Sequence, residues 1–356
     1  MSGPEPAPHP APLRVRGATK SYGGTLAVDG VDLDLDPGEL LVLVGPSGCG
    51  KSTLLRTIAG LSALDAGTIE VAGAAVDDGR RATPPEQRPV GMVFQDHTLF
   101  PHLTLADNVG FGLRRRSATD RRRRVEDLLE LVGIGHLARR YPHEVSGGER
   151  QRASVARAVA PRPALLLLDE PFAALDPNLR EQVRAELVSL LRVTATPAVF
   201  VSHDQAEALA LGDRLAVMRA GRLVQVGAGP EVYDRPVDRF VARFLGDASF
   251  LPVAIDGGRP RTELGPLDLD GGEVAAGAVA VVRPADVTLA PVVGEAVDEV
   301  VGEVVDRSYQ GPTWTYDLRL PSGSVVRATP PRTLVLERGD RAAVVLRDRR
   351  PALVAG

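Results

Sequence analysis

The chain has 356 residues, of which 44% are hydrophobic and 25% are charged, and its formal net charge is −4. The composition is that of a globular protein, the length predicts two domains rather than one, and the charge offers no basis for nucleic acid as the main partner. No stretch approaches the roughly 18 apolar residues needed to cross a bilayer, and the first residues lack a signal-peptide pattern. We therefore expect a cytosolic protein that reaches a membrane only through a partner, with a disordered proline-rich tail at residues 1–12.

The first folded segment, residues 13–44, is predicted to be rich in strands. Apolar side chains alternate at Val31, Leu33 and Leu35 before a Pro-Gly turn, which is typical of a half-buried strand. The run that follows, residues 39–44, is almost continuously apolar. Such a run predicts a strand that is buried on both faces of a sheet.

The loop after this strand has the G-x-x-x-x-G-K-S spacing of a phosphate-binding loop, and a helix is predicted over residues 52–59, ending at Gly60. Backbone N–H groups would wrap the β-phosphate, Lys51 would reach the β- and γ-phosphates, and the Ser52 hydroxyl would be placed for Mg²⁺. The alternative is a chance glycine-rich turn, which the flanking strand and helix disfavour. The predicted binding residues of this segment are Gly45, Pro46, Ser47, Gly48, Cys49, Gly50, Lys51, Ser52 and Thr53.

Residues 96–160 are predicted to be mainly helical and separate the phosphate-binding loop from the next apolar strand. Ser117 and Asp120 have the spacing of a capping box at the start of one of these helices. Arginines crowd around that cap, at residues 114–116 and 121–124. A solvated helix surface is the favoured interpretation of this cluster, and contact with lipid headgroups is the alternative.

A second anion site is predicted where Ser146, Gly147, Gly148 and Glu149 begin a helix that continues to Pro161. The two glycines leave backbone N–H groups open to close approach, and a helix N-terminus carries a partial positive charge. An ordinary glycine turn before a helix is the alternative. The presence of a phosphate-binding loop earlier in the chain favours the anion site.

Two acidic residues, Asp169 and Glu170, follow the apolar run at residues 165–168. This run predicts a buried parallel strand, whose carboxyl end would face the phosphate-binding loop. Asp169 would then hold Mg²⁺ through its water shell, and Glu170 has the chemistry of a general base for an attacking water. A pair of solvated acids at a strand end is the alternative.

With these motifs in this order, the chain resembles the ATP-binding subunit of an ABC transporter over residues 13–245. The resemblance implies that Gln95 senses Mg²⁺ and the attacking water, that His203 contacts the γ-phosphate, and that Tyr22 stacks on adenine. Taken alone, Gln95 would be an exposed amide, His203 a buried histidine, and Tyr22 a core or surface residue. Their order along the chain favours the roles that the resemblance implies.

Three positions depart from the usual family pattern. Valine and glutamate stand at Val145 and Glu149, where leucine and glutamine are commoner, and Ala173 replaces a serine. Ala173 opens the segment Ala173–Asp176, which resembles the loop that couples the two sites of a dimer. The substitutions are conservative in size or in hydrogen bonding, so we still expect activity.

From Gly246 onwards, short valine-rich runs are broken by glycine, proline and aspartate, which predicts a small β-barrel or sandwich after a helix at residues 231–245. Residues 281–290 resemble a motif of the accessory barrel of importer ATPases, although Ala285 replaces the usual glutamate. Trp314 is interpreted as barrel core, with a ligand surface as the alternative. The predicted strands are Ala278 to Val282, Val300 to Val305, Trp314 to Leu320, Ser324 to Ala328 and Arg341 to Leu346.

The resemblance implies an α/β P-loop NTPase of the ABC ATPase type, with an antiparallel β subdomain and a helical subdomain at about residues 96–160. A small all-β, OB-like domain would follow at residues 246–356. Two copies would sandwich two ATP and Mg²⁺, with residues 146–148 of one subunit completing the site around Lys51 and Glu170 of the other. The dimer would lie peripherally on the cytoplasmic face of the cell membrane.

The implied function is ATP hydrolysis that drives solute import through a separate membrane permease, whose coupling helix would bind near residues 95–102. An extracytoplasmic solute-binding protein would act indirectly, and no nucleic acid is expected. The whole chain looks most like ferric-iron importer ATPases, and polyamine, sulfate, thiamine or sugar importers are the alternatives. A non-transport ABC ATPase is a remoter one, since the chain has one ATPase cassette and no long heptad run. A binding module without catalysis is disfavoured by the retained motif residues.

Overall fold

The computed structural model describes residues 10–95, 98–173, 177–268, 274–292, 300–311 and 313–356, with no side chains described at 177–179. Most of the expected tail at residues 1–12 lies outside these ranges, as do residues 174–176 of the segment predicted to couple two sites. The chain divides into two compact units at Gly229 and Pro230.

In its described residues, the first unit contains ten strands and six α-helices. The strands are β1 (Leu13–Tyr22), β2 (Thr25–Leu35), β3 (Leu40–Val44), β4 (Ala66–Val71), β5 (Ala74–Asp77), β6 (Val90–Val93), β7 (Leu165–Asp169), β8 (Ala198–Ser202), β9 (Arg214–Arg219) and β10 (Arg222–Gly227) among the residues described. The helices are α1 (Lys51–Ala59), α2 (Leu105–Val109), α3 (Ala118–Leu131), α4 (Gly147–Val159), α5 (Pro177–Val193) and α6 (Gln205–Leu211).

The main sheet has the strand order β10-β9-β3-β8-β7-β6, with parallel pairing throughout except between β10 and β9. Every residue of β3, β7 and β8 is buried. This burial on both faces explains why these strands read as continuous apolar runs in the sequence. The doubly covered parallel sheet predicted from those runs is therefore confirmed.

An antiparallel sheet of order β2-β1-β4-β5 lies beside the main sheet. The predicted alternation in β2 is confirmed, because Val31, Leu33 and Leu35 are all buried. They share one hydrophobic core with Leu54 and Ile58 of α1. The helix that follows the phosphate-binding loop is thus packed against the antiparallel sheet.

Helices α2, α3 and α4 occupy the segment that was predicted to be helical. The Ser117 hydroxyl accepts a hydrogen bond from the backbone N–H of Asp120 at the start of α3, which confirms the predicted cap. The buried face of α3 carries Val125, Leu128 and Leu129. Of its arginines, Arg122 and Arg123 are exposed, and Arg122 forms a surface ion pair with the Glu126 carboxylate at 2.8 Å, whereas Arg121 and Arg124 are only partly exposed.

Within the residues that the structure describes, the second unit has two short α-helices, α7 (Gly229–Asp234, which begins at the boundary) and α8 (Arg239–Phe244). Three antiparallel sheets follow, of order β11-β15-β21, β12-β13-β14 and β16-β20-β17-β18-β19. Their strands are β11 (Ser249–Pro252), β12 (Ala254–Asp256), β13 (Arg259–Thr262), β14 (Gly265–Pro266), β15 (Ala278–Val282), β16 (Val287–Pro291), β17 (Val301–Tyr309), β18 (Trp314–Arg319), β19 (Val325–Ala328), β20 (Arg341–Leu346) and β21 (Leu353–Ala355).

The all-β character predicted for this part of the chain is confirmed, and its core is built around the fully buried Tyr316 and Leu318. Trp314 is partly buried against this core, and its ring centroid lies 5.0 Å from that of Tyr309. The packing supports the interpretation of Trp314 as a barrel residue. Arg283 lies near the start of the accessory-barrel motif and donates hydrogen bonds to the carbonyl oxygens of Ala242, Gly246, Asp247 and Tyr233.

The prediction of one continuous helix over residues 231–245 is wrong. Helix α7 ends at Asp234 and α8 begins only at Arg239. Pro236 lies between them, and proline lacks the N–H that a continuous helix needs and disfavours helical geometry in the preceding residue. Asp238 then caps α8 by accepting a hydrogen bond from the N–H of Val241 at 2.8 Å.

Candidate functional site

The carboxyl ends of four parallel strands bring most of the predicted site residues to one edge of the main sheet. Val44 at the end of β3 pairs with Ser202 at the end of β8, and Val93 of β6 pairs with Leu168 of β7. The segments that follow these four strands therefore begin side by side. Open α/β sheets bind ligands at this edge.

The phosphate-binding loop follows β3, and the Lys51 side chain binds back to the backbone of this loop. The Lys51 ammonium is buried and donates hydrogen bonds to the carbonyl oxygens of Gly45 at 2.8 Å and Pro46 at 3.0 Å. Gly50 has a φ of 110°, and a Cβ there would lie 2.0 Å from the carbonyl oxygen of Ala27. Only glycine fits that position, so the close packing of the loop explains this part of the motif.

Ser52 and Asp169 meet across the loop and the neighbouring strand end. The Ser52 hydroxyl donates a hydrogen bond to Oδ1 of Asp169 at 3.0 Å. Burial raises the pKa of Asp169, the hydrogen bond from Ser52 lowers it, and the nearby charge of Glu170 raises it. A carboxylate and a hydroxyl are hard oxygen donors of the kind that Mg²⁺ uses together with phosphate oxygens, so the pair fits that ion.

The described residues contain no group of three or more His, Cys, Asp and Glu side chains that could hold a metal ion. Mg²⁺ in phosphate-transfer sites is commonly bound by few protein ligands together with water and substrate phosphates. The small donor set at Ser52 and Asp169 therefore matches such a site better than an all-protein metal cage.

Glu170 and His203 lie together at the ends of β7 and β8. Oε2 of Glu170 lies 3.1 Å from Nδ1 of His203. Glu170 has a φ of 46°, a left-handed conformation that costs a non-glycine residue about 1–3 kcal/mol and is commoner at functional sites. Its side chain is 23% exposed, so the carboxylate is partly shielded but accessible to a water molecule.

Gln95 and Tyr22 reach the site less directly. Gln95 is exposed and lies two residues beyond β6, at the same sheet edge as Asp169. Tyr22 is 52% exposed, its hydroxyl is 3.0 Å from the Ser62 hydroxyl, and the Lys20 ammonium lies 5.5 Å from the ring centroid. Among the described residues, neither side chain forms a hydrogen bond with the phosphate-binding loop.

The predicted second anion site is the N-terminus of α4. The Ser146 hydroxyl accepts a hydrogen bond from the N–H of Glu149, and the Glu149 carboxylate accepts one from the N–H of Ser146 at 2.7 Å. The Ser146 hydroxyl also donates a hydrogen bond to Oε2 of Glu149 at 2.8 Å, and the bonds that the carboxylate accepts from the N–H and the hydroxyl of Ser146 hold the pKa of Glu149 below its usual range. In the described part of the chain, no hydrogen bond or ion pair joins residues 146–149 to residues 45–53.

Sequence reasoning missed a polar network next to His203. The Ser202 hydroxyl donates a short hydrogen bond to Oε2 of the buried Glu207, and burial raises the pKa of that carboxyl. Asp204 accepts a hydrogen bond from the N–H of Glu207 at 3.0 Å and caps α6. The spacing of Asp204 and Glu207 is that of a capping box, and this signal could have identified the network.

A groove with an aromatic lining lies beside α4 in the segment that was expected to bind a permease. Its volume is about 530 Å³, and its lining includes Phe94, Phe100, Phe111 and Arg157. The Phe100 and Phe111 ring centroids are 4.4 Å apart. Residues 96 and 97, which belong to the same predicted segment, lie outside the described residues. In the part of the chain that the structure covers, no helix is long and apolar enough to span a bilayer.

This arrangement can perform a phosphoryl transfer to water. It combines a buried cation in a phosphate-binding loop, a carboxylate–hydroxyl pair suited to Mg²⁺, and a second carboxylate that can accept a proton. These are the parts that phosphoryl transfer requires, because its catalysis is mostly positioning and electrostatic stabilisation.

Residues 28–173 match the family model for ABC transporters, and residues 280–354 match that of the TOBE domain. A ferric-iron import ATP-binding protein of Mesorhizobium japonicum is 42% identical over 89% of this chain and 91% of its own length. A relative with the same description from Rhodococcus jostii is 46% identical over 86% and 87%. A spermidine/putrescine import ATP-binding protein of Marinobacter nauticus is 41% identical over 89% and 87%.

Among solved structures, a component of an ABC transporter complex from Clostridium perfringens has a TM-score of 0.58 and 29% identity, over 63% of this chain and 91% of its own. A dimeric ATP-binding cassette bound to ADP and phosphate in a post-hydrolysis state has a TM-score of 0.53 and 29% identity, over 61% and 98%. Together with the motif geometry at the edge of the main sheet, these similarities show that the chain belongs to the ABC transporter family of ATP-binding proteins.

Proposed function

We propose that this chain is the ATP-hydrolysing subunit of an ABC importer and that it powers uptake of ferric iron. The proposal rests on two side-chain contacts at one edge of the main sheet. The Ser52 hydroxyl lies 3.0 Å from the Asp169 carboxylate, and the Glu170 carboxylate lies 3.1 Å from the His203 ring. The first pair has the chemistry to hold Mg²⁺ and the second has the chemistry to activate a water molecule. Both lie next to the loop that carries Lys51.

In this proposal, the loop from Gly45 to Thr53 binds the phosphates of ATP, and Tyr22 stacks on adenine. Bound Mg²⁺ would neutralise charge on the β- and γ-phosphates, with Ser52, Asp169 and Gln95 as the residues that hold it. These roles agree with the hard oxygen donors of the site and with the position of Gln95 at the same sheet edge.

Glu170 acts as the general base. As the water oxygen attacks the γ-phosphorus, a water proton passes to the Glu170 carboxylate, and the bond from the γ-phosphorus to the bridging oxygen breaks to release ADP. His203 orients the carboxylate through its ring nitrogen and contacts the γ-phosphate. The left-handed backbone of Glu170 supports this assignment, because such strain is kept only where the surrounding structure requires it.

We further propose that two copies sandwich two ATP molecules, with Ser146, Gly147, Gly148 and Glu149 of one subunit facing the phosphates held by the other. The open N–H groups at the start of α4 favour an anion, and no described hydrogen bond ties this helix start to its own phosphate-binding loop. The similar ATP-binding cassette that is dimeric in its ADP- and phosphate-bound state supports the same arrangement.

The membrane partner would be a permease whose coupling helix binds the groove lined by Phe94, Phe100 and Phe111. Aromatic grooves of this kind receive the apolar face of a short helix. Motor and permease would meet at the cytoplasmic face of the cell membrane, and a solute-binding protein would act from the other side. The descriptions of several similar relatives as import proteins support this partner.

The catalytic role of Glu170 is tested by the Glu170→Gln variant. We expect ATP binding to persist and hydrolysis to fall by about 10²–10⁴-fold, since a positioned general base contributes that much. The variant should also accumulate as an ATP-bound dimer. Glu181→Gln is the matched control, because Glu181 is 71% exposed and bonded to Arg184 on the same helix. Hydrolysis by Glu170→Gln at the wild-type rate would remove Glu170 from the mechanism.

The solute is tested in cells that lack this chain. We expect the wild-type chain to restore uptake of labelled ferric iron and Glu170→Gln to fail. Labelled spermidine and sulfate are the comparison solutes, because a polyamine relative is 41% identical and a sulfate/thiosulfate relative is 42% identical. If the chain restores uptake of spermidine or sulfate and not of iron, its role as an importer subunit stands, but the solute is not ferric iron.

A further inference from the structure

The ring of His203 has a role in the proposed function, yet few side chains hold it in place. His203 is 57% exposed, and in the described part of the chain its ring forms one polar contact, with Oε2 of Glu170 at 3.1 Å. The direction of an exposed side chain depends on the backbone that carries it. The backbone of residues 202–204 therefore decides how His203 faces Glu170.

That backbone is bonded to a buried carboxyl, Glu207 of α6. The Ser202 hydroxyl donates a hydrogen bond to Oε2 of Glu207, and the same hydroxyl accepts one from the N–H of Asp204 at 3.0 Å. Oδ1 of Asp204 accepts a hydrogen bond from the N–H of Glu207 at 3.0 Å. The residues on both sides of His203 are thus joined to Glu207 in one closed set of hydrogen bonds.

This set differs from an ordinary capping box by one inserted serine. In a capping box, the carboxylate three residues after the cap accepts the backbone N–H of the cap residue directly. Here the N–H of the cap, Asp204, donates to the Ser202 hydroxyl, and Glu207 binds that hydroxyl. The Glu207 carboxyl therefore reaches the last residue of β8, which the capping of α6 alone does not require.

Capping also does not explain why a buried acid stands at Glu207. Glu207 is only 8% exposed, and its Oε1 has no hydrogen-bond partner among the residues that the structure describes. A buried carboxyl with an unsatisfied oxygen destabilises a fold, whereas an apolar side chain would not. Glu207 and Ser202 line one small cavity together with His203 and Glu170. A destabilising group at this place indicates a functional requirement.

We propose that Glu207 is a positioning residue for ATP hydrolysis. Through the Ser202 hydroxyl it holds the backbone on both sides of His203 and thereby aims the ring at Glu170 and the γ-phosphate. The inference rests on the role of His203 in the proposed function. In this arrangement Glu207 contacts neither the nucleotide nor the attacking water, so its loss should lower the rate of hydrolysis and leave ATP affinity unchanged.

The test is a double-mutant cycle in which the full chain hydrolyses labelled ATP. We expect Glu207→Leu to lower kcat by about 10–100-fold with KM within about twofold of the wild-type value, because a small misplacement of a catalytic group costs up to about 10²-fold in rate. Glu207→Gln keeps an acceptor oxygen for the Ser202 hydroxyl, so its kcat should stay within about threefold of the wild-type value. A purely structural role would not produce this separation of kcat from KM.

His203→Ala should also lower kcat. The Glu207→Leu/His203→Ala variant should hydrolyse ATP no more slowly than His203→Ala alone, since a residue that acts through His203 then has no ring to position. Two losses that multiply in the double variant would overturn the inference and leave the proposed function intact. A wild-type rate for His203→Ala would refute the proposed role of the histidine, and the inference with it.

Glu39→Leu is the matched control for the loss of a buried carboxylate. Glu39 is 7% exposed and accepts hydrogen bonds from the N–H of Asp36 at 2.7 Å and from Arg214 at 3.1 Å. It precedes β3, at the end of that strand opposite the phosphate-binding loop. Folded Glu39→Leu should therefore keep the wild-type kcat.

Ser202→Ala removes the hydroxyl that links Glu207 to the turn and leaves the buried carboxyl in place. Its kcat should fall by a factor similar to that of Glu207→Leu, so it decides the matter if Glu207→Leu unfolds. Circular dichroism identifies the folded variants. A wild-type kcat for Ser202→Ala, or for folded Glu207→Leu, would overturn the proposal.

Discussion

At the scale of single residues, Lys51 shows how the phosphate-binding loop is prepared for an anion. Lys51 is only 6% exposed, and the neighbours of its ammonium are the carbonyl oxygens of Gly45 and Pro46 and the Cys49 sulfur at 3.8 Å. A buried cation held by neutral dipoles is stabilised further by a full negative charge. Phosphate oxygens supply that charge, so we expect Lys51 to contribute mainly to nucleotide affinity.

Lys51→Ala should therefore weaken ATP binding by about 10–100-fold, which corresponds to losing charged hydrogen bonds of about 1.5–3 kcal/mol. Fluorescent ATP titration measures the affinity directly. Arg14→Ala is the control, because Arg14 is a surface cation 51% exposed, with acidic partners no closer than 3.7 Å. An unchanged affinity of Lys51→Ala would contradict the assignment of the loop.

At the scale of elements, one buried arginine ties the helix after that loop to the antiparallel sheet. Arg88 donates hydrogen bonds from Nη1 to the carbonyl oxygens of Thr57 and Ile58 at 2.8 and 2.9 Å, and from Nε to that of Thr83 at 2.8 Å. Its Nη2 lies 3.6 Å from Oδ2 of the buried Asp77. Burial lowers the pKa of Arg88, and Asp77 opposes that shift. The carboxyl end of α1 is thus capped by a side chain.

Arg88→Met should lower the free energy of unfolding by about 3–5 kcal/mol, because it leaves the Asp77 carboxylate buried without its cation. Urea unfolding measures the loss. Arg122→Met removes an arginine that is 82% exposed and should change stability by no more than about 0.5 kcal/mol. Equal stability of the two variants would show that Arg88 is not a structural clamp.

Arg88 also shows why part of the architecture could not be predicted from the sequence. Buried strands such as β7, the Ser117 cap and the phosphate-binding loop have local signals, namely an apolar run or a fixed spacing within ten residues. The partners of Arg88 at the end of α1, Thr57 and Ile58, are 31 and 30 residues away, so no local pattern indicates them. The left-handed backbone of Glu170 is likewise imposed by tertiary contacts. The break at Pro236, by contrast, had a local signal that outweighs helical periodicity.

At the scale of the whole molecule, the two predicted anion-binding elements of the first unit share no described hydrogen bond or ion pair within one chain. Lys51 is bonded to its own loop, and the N–H groups of Ser146 and Glu149 at the start of α4 are used in their mutual bonds, whereas those of Gly147 and Gly148 form no described hydrogen bond. A helix N-terminus with open N–H groups still favours an anion from outside. In the proposed dimer, that anion is the ATP held by the partner copy.

Ser146→Arg tests this arrangement. A long side chain at the start of α4 should enter the space meant for the phosphates of the partner's ATP, so we expect ATP-driven dimerisation and hydrolysis to be lost. Nucleotide binding to the monomer should remain, because Lys51 and its loop are untouched. Light scattering with and without ATP measures dimerisation, and ATP titration measures the retained binding.

Ser117→Arg is the matched control, because Ser117 caps α3 with the same geometry, accepting a hydrogen bond from the N–H of Asp120. Each substitution removes one serine cap, which costs about 1 kcal/mol of stability. Both variants lose a serine cap, so a difference between them in dimerisation comes from the place of the new arginine at the start of α4 and not from the loss of a cap. Dimerisation and hydrolysis by Ser146→Arg at the level of Ser117→Arg would mean that the start of α4 faces no nucleotide, and the two-subunit site would have to be abandoned.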